Sequence, residues 1–131
     1  MEHEELTRLV IGCAMKIHRA LGPGFLESVY QNALIHELRK AGLGVEAEKK
    51  LQVVYDGVIV GDFFADIVVN GIVLVEIKSV RAITVNHEVQ LVNYLTATNI
   101  EIGPLLNFGA LKLEFKRKTR TLRFIGGAPA P

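Results

Sequence analysis

The sequence lacks the features that mark secreted and membrane proteins. It has a single cysteine, Cys13, among 131 residues, which excludes an internal disulfide framework and a zinc site built from cysteines. No apolar run approaches the ~18 residues that a membrane span needs, and no signal-peptide pattern opens the chain. We therefore expect a cytoplasmic protein that has no contact with a membrane.

Charge of neither sign dominates the composition. The chain has 15 Lys and Arg against 14 Asp and Glu, for a formal net charge of +1, so bulk charge does not indicate a nucleic-acid-binding protein. Half of the residues are hydrophobic and 22% are charged, which excludes an intrinsically disordered chain. The length predicts one domain, over residues 1–125, followed by a flexible tail over 126–131.

Apolar spacing predicts three helices, over residues 3–21, 26–41 and 86–99. The motif Gly-Pro-Gly at 22–24 separates the first two, because proline and glycine break a helix. Pro104 is expected to restrict pairing at the start of a short buried strand. The strands are predicted near 45–49, 51–56, 58–69, 72–79 and 105–108, with a hairpin or pair of strands over 112–125. This order indicates a mixed α/β layer fold.

Three charged residues interrupt the otherwise apolar strands. Asp66 is followed ten residues later by Glu76, and Lys78 lies two residues beyond it. Charges at such positions are costly to bury without partners. Residues two apart on a strand leave from one face, so the side chains of Glu76 and Lys78 are neighbours. Two interpretations follow: a salt bridge at a sheet end, or acidic residues that hold a divalent metal beside a lysine that positions or activates a water.

The turn between these strands decides whether Asp66 joins the same face as Glu76. A two-residue Asn-Gly turn would put the two carboxylates on opposite faces. A three-residue loop over 69–71, with Gly71 left-handed and Asp66 opposite Leu74, would put them on one face. The dipeptide is compatible with both turns, so both stay open, although a single site requires the second.

Two helical features accompany these residues. Glu27 lies in the first turn of the second helix, where the helix dipole by itself favours an acid. Gln90 and Tyr94 are four residues apart on one face of the third helix, with His87 a turn earlier. Taken alone, this pair is typical of the margin of an amphipathic helix.

Taken together, these residues resemble the GxxExxY protein family, which is similar to a branch of the PD-(D/E)XK nuclease superfamily. Gly24, Glu27 and Tyr30 match the signature, and the similarity covers about residues 5–125. The other matching blocks lie at 18–23, 65–66, 76–78, 87–90, 94–95 and 105–109. The resemblance implies a restriction-endonuclease-like core, in which helices flank a mixed four-stranded sheet.

The resemblance also implies a set of catalytic residues, namely Glu27, Asp66, Glu76, Lys78, Gln90 and Tyr94. The implied cofactor is Mg²⁺ or Mn²⁺, held by Asp66, Glu76, the carbonyl of Ile77 and, through water or as a second ion's ligand, Glu27. These oxygen donors suit Mg²⁺, which lowers the pKa of bound water and neutralises phosphate charge. Lys78 would orient or deprotonate the attacking water, or stabilise the developing charge.

Two further groups of residues are candidates for binding nucleic acid. His18 and Arg19 lie off the apolar stripe of the first helix. They would either contact phosphate or form part of a solvent-exposed face, and both interpretations stay open. Segment 112–123 carries six basic residues against one acid. It would either follow a phosphate backbone or form a hairpin edge protected from aggregation by charge. The candidate contacts in it are Lys116, Arg117 and Lys118.

The sequence supports two main hypotheses of function. The first is a Mg²⁺-dependent nuclease that hydrolyses DNA, with RNA the less favoured substrate. The second is a catalytically silent nuclease-fold module for nucleic-acid binding or assembly. Retention of the core polar groups favours the enzyme, and a purely structural protein leaves Asp66, Glu76 and Lys78 unexplained. Because the chain is small, we expect a homodimer or a protein partner to help select the substrate.

Overall fold

The computed structural model describes residues 3–121, 124–125 and 128–129. Within this part of the chain, no helix is long and apolar enough to cross a membrane. The elements in chain order are α1 (His3–Leu21), α2 (Glu27–Lys40), β1 (Val45–Tyr55), β2 (Val58–Val69), β3 (Val73–Lys78), α3 (Val85–Thr98), β4 (Ile102–Asn107), β5 (Glu114–Thr119), β6 (Phe124–Ile125) and β7 (Ala128–Pro129).

Strands β1 to β5 form one mixed sheet in chain order. All neighbouring pairs are antiparallel except β3 and β4, which run parallel, so α3 is the crossover between them. The core on one face packs α1 and α2 against the sheet, and the core on the other face packs α3. The α/β fold, a mixed sheet flanked by helices, is confirmed, with five strands where the resemblance implied a core of four.

Tyr30 organises the core between α2, the sheet and the loop that precedes α2. Its side chain is fully buried, and its ring stacks on Phe108 with centroids 4.5 Å apart. Its hydroxyl donates to the carbonyl of Gly22 at 2.6 Å and accepts from the backbone N–H of Phe25 at 3.2 Å. One side chain thus joins the core to the turn between α1 and α2.

β1 is one continuous strand, where the sequence predicts two, over 45–49 and 51–56. The pairs Ala47–Ile67 and Lys49–Ala65 keep the same register on either side of Glu48, which adopts a positive φ of 50°. The sequence predicts a break because charged residues interrupt the alternation of apolar and polar residues there. β1 is an edge strand that pairs only with β2, and its backbone can do so without that alternation.

β4 begins earlier than predicted, at residue 102 instead of 105. Its pairing with β3 joins Val73 to Ile102 and resumes at Glu76 and Leu105, without a pair at Pro104. This matches the expected effect of a proline, which has no N–H to donate. Pro104 does pair with Arg117 of β5 on its other side.

Of the two structures predicted for 112–125, the hairpin is wrong and the pair of strands is correct. Only β5 joins the main sheet, whereas β6 pairs with β7 in a separate two-stranded ladder. Of the predicted flexible tail over 126–131, the structure describes only residues 128–129, which form β7. The rest of that segment lies outside the described residues, so its flexibility stays a prediction.

The far half of the β1–β2 hairpin is rich in exposed apolar side chains. Residues 51–65 contain no lysine or arginine, so this surface is unsuited to phosphate contacts. The exposed side chains are Val54, Tyr55, Val58, Ile59, Val60 and Phe64.

Replacing Tyr30 by phenylalanine tests the role of its hydroxyl. Tyr30→Phe leaves a carbonyl and an N–H of the α1–α2 loop without their partner, so we expect the free energy of unfolding to fall by about 1–3 kcal/mol. Urea denaturation measures the change. The matched control is Tyr55→Phe, since Tyr55 is 74% exposed. Equal stabilities of the two variants would contradict the proposed role of the Tyr30 hydroxyl.

Candidate active site

The loop between β2 and β3 puts Asp66 and Glu76 on one face. Val69 pairs with Val73, so the loop contains three residues, 70–72, and Gly71 is left-handed with φ 70°. The two-residue turn is therefore wrong. The three-residue loop is shifted by one position from the predicted 69–71, and the register directs Asp66 toward Glu76 instead of Leu74. Because both registers have the same parity, the predicted common face is correct.

The backbone ladder between β2 and β3 ends just before these carboxylates. Its last pair toward the site joins Ile67 to Val75. Beyond it, the N–H of Ile77 donates to Oδ2 of Asp66 at 2.7 Å, and the N–H of Asp66 faces Oε1 of Glu76 at 3.5 Å. Side-chain carboxylates thus take the place of backbone carbonyls, and both lie in the opening between the two strands.

Burial and mutual repulsion raise the pKa values of both carboxyl groups. Glu76 is only 7% exposed, and burial, followed by the charge of Asp66, raises its pKa to about 8. Burial also raises the pKa of Asp66, as do the charges of Glu27 and Glu48, while the hydrogen bond from Ile77 opposes the rise. Without a cation, the opening therefore favours a proton on Glu76 at neutral pH.

Glu27 and Lys78 lie near this pair from two different elements. Lys78 ends β3, and its charge lowers the pKa values of Asp66 and Glu76. Glu27 is the exposed first residue of α2. The hydroxyl of Ser79, next to Lys78, donates to the carbonyl of Phe25 at 2.7 Å. This contact fixes the start of α2 against the end of β3, which brings the predicted helix acid to the strand carboxylates.

Tyr94 reaches the same opening from α3, whereas Gln90 is exposed to solvent. The ring of Tyr94 stacks on Phe63 with centroids 3.8 Å apart. Partial burial raises the pKa of Tyr94, and the nearby charges of Glu76 and Asp66 raise it further. The phenol is thus beside the two carboxylates.

His87 caps α3. Its Nδ1 accepts the backbone N–H of Thr84 at 3.0 Å, and its own N–H donates to Oγ1 of Thr84 at 3.3 Å. This reciprocal pair is a capping box, which stabilises the start of a helix. These hydrogen bonds give His87 a structural role at the start of α3.

Sequence reasoning missed Gln31 and Glu48. Gln31, on α2, donates to the backbone carbonyl of Asp66 at 3.0 Å and to Oε1 of Glu48 at 2.9 Å. One signal was present, since Gln31 lies four residues after Glu27 and therefore on the same side of the helix. Nothing in the sequence indicated that Glu48 interrupts the pairing of β1.

Asn107 was also missed as a site-forming residue. It is fully buried, its Oδ1 accepts from the N–H groups of Val80 and Gly109, and its Nδ2 donates to the carbonyl of Val80 and to Glu114. Gly109 is required here because a Cβ would collide with the backbone of Val80. This network holds the segment after Lys78 in place.

His18 is buried instead of exposed. It is 7% exposed, its Nε2 bonds to the carbonyl of Ala110 at 2.9 Å, and its ring lies near Phe108. The expectation that His18 lies off the apolar stripe is wrong, because the segment after β4 packs over the last turn of α1. Arg19 is exposed. The burial of His18 gives no support to a phosphate contact there.

The basic residues of β5 have different surroundings. Lys118 pairs with Glu88 of α3 at 3.1 Å, and the guanidinium of Arg117 lies 5.8 Å from the ring centroid of Phe115. Lys116 is exposed. Glu76 pairs with Leu105, which pairs with Lys116, so the three residues share one row and one face. Two strand spacings separate Glu76 from Lys116, roughly 10 Å. Arg123 lies outside the described residues.

The carboxylates do not form a ready cluster of three metal ligands. Among residues 3–121, 124–125 and 128–129, no group of three or more His, Cys, Asp or Glu side chains is arranged to hold a metal ion. Asp66 and Glu76 are therefore the central acidic pair, and Glu27 acts on it through its charge.

Comparison with known proteins agrees with this architecture. Residues 4–118 match the profile of the PD-(D/E)XK nuclease superfamily. A solved structure, described as the crystal structure of SSO0001, has a TM-score of 0.55 and 19% identity, with coverage of 73% of this chain and 50% of that chain. At that identity the likeness shows the fold alone, and this chain spans half the length of the other. No curated protein shows significant sequence similarity to the present chain. The narrower resemblance to the GxxExxY family is not confirmed. The match over residues 4–118 shows that the chain belongs to the PD-(D/E)XK nuclease superfamily.

Proposed function

We propose that this protein is a divalent-metal-dependent nuclease that hydrolyses phosphodiester bonds, with DNA favoured over RNA. The observation that carries the proposal is the pair of half-buried Asp66 and buried Glu76 in the opening between β2 and β3, with Lys78 beside it. An ordinary salt bridge would neutralise its carboxylates, whereas this pair retains raised pKa values. Such a pair has the chemistry of a cation site.

The donor set fits Mg²⁺ or Mn²⁺. One oxygen of Asp66 accepts from Ile77, which leaves the other oxygen for a metal, and Glu76 faces the same opening. Mg²⁺ commonly takes one or two carboxylates and completes its shell with water, so the set needs no third acid. We propose that Asp66, Glu76 and the Ile77 carbonyl hold the ion and that Glu27 acts through water. The bound ion would lower the pKa of water and neutralise charge on the phosphate.

The remaining residues would act on water and phosphate. Hydrolysis needs a water oxygen to attack phosphorus, a group that takes its proton, and stabilisation of the departing sugar oxygen. Lys78 is proposed to orient or deprotonate that water, or to stabilise the developing charge. Tyr94, whose pKa is raised beside the carboxylates, would donate a hydrogen bond at the same place. Gln90 is proposed to contact substrate from the exposed side of α3.

Nucleic acid would cross the face of the sheet that carries Glu76 and Lys116. The shared row supports phosphate contacts by Lys116, and Lys118 is a further proposed contact on that face. Arg117, which leaves the opposite face of β5, and Arg19, on α1, are proposed contacts only for nucleic acid that extends around the sheet. A homodimer or protein partner stays part of the proposal because the domain is small. Residues 51–65, the apolar far half of the β1–β2 hairpin, have no lysine or arginine to bind phosphate, which leaves nucleic-acid binding to other surfaces. A nuclease of this kind would act in the cytoplasm.

One observation favours a second candidate function. The exposed apolar side chains of the β1–β2 hairpin, such as Tyr55 and Ile59, are typical of a surface that binds another protein, as expected of a nuclease-fold module that assembles or binds nucleic acid without cutting it. Metal binding and cleavage separate the two candidates, because the module requires neither.

The raised pKa of Glu76 predicts how stability depends on pH. A carboxyl group whose pKa is higher in the folded protein binds more protons there, so stability falls as pH rises from the group's ordinary value to about 8. We expect the melting temperature to decrease over that range and to decrease less in Glu76→Gln. We also expect Mg²⁺ to stabilise the parent more at the alkaline end, where the carboxylate is free to bind it.

Thermal melts with and without Mg²⁺ measure both effects. The control Glu4→Gln changes an exposed glutamate in the first turn of α1. If Glu76→Gln follows the same pH dependence as the parent, the raised pKa is contradicted. If Mg²⁺ stabilises the parent equally at both ends of the range, a cation site at Glu76 is contradicted.

Two substitutions separate metal binding from catalysis. Asp66→Asn should abolish both metal binding and cleavage, since it removes a charged ligand but keeps an oxygen for the Ile77 N–H. Lys78→Met should retain metal and lose turnover by about 10²–10⁴-fold, the range for loss of acid–base help. Calorimetry with Mn²⁺ and cleavage of single- and double-stranded DNA and RNA measure the two properties.

The matched control for Lys78→Met is Lys50→Met, which removes an exposed lysine that pairs with Asp62 at 3.5 Å. A parent protein that binds no divalent ion and cuts none of the substrates would contradict the nuclease proposal. A Lys78→Met variant with the parent's turnover would contradict the role of the lysine.

Neutralising β5 tests the proposed path of nucleic acid. The double change Lys116→Gln and Lys118→Gln, two positions of β5 that share a face, should weaken binding and flatten its salt dependence by roughly 0.9 of a unit of log–log slope per lost contact with duplex DNA. The control Arg8→Gln with Lys40→Gln removes equal charge from α1 and α2, on the other face. Fluorescence titrations at several salt concentrations measure the slope. Equal slopes for the two double variants would remove β5 from the binding surface.

A further inference from the structure

Asp66 is excluded from the backbone ladders on both of its sides. On the β1 side, the pairs Ala47–Ile67 and Lys49–Ala65 flank it, but the position opposite Asp66 makes no pair. On the β3 side, pairing begins only at Ile67. A residue in the interior of a sheet normally receives its orientation from these ladders. The central acid of the site must therefore be oriented by other contacts.

Gln31 supplies the contact that the β1 ladder omits. Its side chain is 9% exposed, and its Nε2 donates to the backbone carbonyl of Asp66 at 3.0 Å. The same Nε2 donates to Oε1 of Glu48 at 2.9 Å. An amide nitrogen has two hydrogens to donate, and these two acceptors use both. Gln31 is thereby held in one orientation, with Glu48 as its second anchor.

The backbone of Glu48 makes this arrangement specific. Its φ of 50° is in the left-handed region, which a glutamate adopts only where its surroundings hold it. This conformation removes Glu48 from the position opposite Asp66. The side-chain amide of Gln31 is then the donor to the Asp66 carbonyl, in place of a strand N–H.

We propose that Gln31 is a positioning residue that orients Asp66 relative to the acid of α2. Gln31 lies four residues after Glu27, so both leave the same side of α2. The contact from Gln31 to the Asp66 carbonyl sets the distance between β2 and that side of the helix. It therefore sets both the approach of Glu27 and the aim of the Asp66 carboxylate at Ile77. The effect of Gln31 on catalysis rests on the proposed function, but the orientation of Asp66 is measurable whether or not the protein is a nuclease.

The test uses Gln31→Met, which keeps the length of the side chain but removes both donors. Its control is Leu38→Ala, a fully buried position two turns further along α2, which lowers stability without touching the site. The readout that needs neither metal nor substrate is hydrogen exchange of the Ile77 amide. This N–H donates a hydrogen bond of 2.7 Å to the Asp66 carboxylate. We expect exchange to become at least ~10-fold faster in Gln31→Met, after correction for global stability, and to stay unchanged in Leu38→Ala.

Metal affinity and kinetics give the functional readouts. Loss of a partner that orients a metal ligand typically costs about 10–100-fold in affinity or activity. Calorimetry with Mn²⁺ should show that loss in Gln31→Met, and kcat should fall more than KM rises. A merely structural role would change stability alone, as in Leu38→Ala.

A pair of exchanged residues identifies which bond matters. Gln31→Glu with Glu48→Gln restores a hydrogen bond between positions 31 and 48, but leaves no donor for the Asp66 carbonyl. We expect this double variant to behave like Gln31→Met. Glu48→Gln alone keeps both acceptors for Gln31, so the exchange of the Ile77 amide should stay as in the parent. Because the exchange preserves size and polarity, it also replaces Gln31→Met if that variant fails to fold.

The outcomes separate this inference from the nuclease proposal. Parent-like Ile77 exchange in both Gln31→Met and the exchanged pair overturns the positioning role, whatever the activity. Faster Ile77 exchange in a protein that cuts no nucleic acid supports the positioning of Asp66 and counts against the nuclease. If the parent binds no Mn²⁺, the exchange of Ile77 decides the inference alone.

Discussion

The hydrogen bond from the Ile77 N–H to the Asp66 carboxylate is the contact on which the site depends. The backbone pairing of β2 with β3 ends at Ile67 and Val75, and this hydrogen bond follows it directly. Because the carboxylate accepts from the buried N–H of Ile77, the two strands can separate without leaving that N–H unpaired. The opening admits Glu76, which is almost fully buried. Burying a second carboxylate beside the first is costly, as their raised pKa values show. A proton or a cation lowers that cost, and the proposed function requires the cation.

Helix α2 is held against this opening by contacts at its start and along its first turns. The Tyr30 hydroxyl fixes the turn before the helix, and Ser79 joins that turn to the end of β3. Gln31 then joins the helix to β2. The position of Glu27 is therefore a consequence of packing. The helix dipole favours an acid in any first turn, but it does not account for the nearness of this acid to Asp66.

The near-neutral net charge conceals an uneven distribution. The acids that carry the proposed chemistry lie in the β2–β3 opening, whereas Lys116 is displayed two strands away on the same face. Some basic residues of β5 are already engaged, as Lys118 is by Glu88. A count of charges along segment 112–123 therefore overstates the positive surface that it offers to phosphate. This ion pair joins β5 to α3, so part of that charge is already neutralised within the protein.

The sequence by itself determined the three helices, most of the strands and the shared face of Glu76 and Lys78, whereas the register of the β2–β3 pairing decided that Asp66 joins that face. The features determined by the sequence follow from local spacing, since an apolar stripe needs steps of three and four and a strand alternates by two. Only the tertiary structure decided the burial of His18 and the donor to the Asp66 carbonyl. The second depends on residues 35 positions apart and on a single left-handed residue in β1. Local periodicity contains no information about which distant side chain fills such a gap, because that choice is made when separate elements pack together.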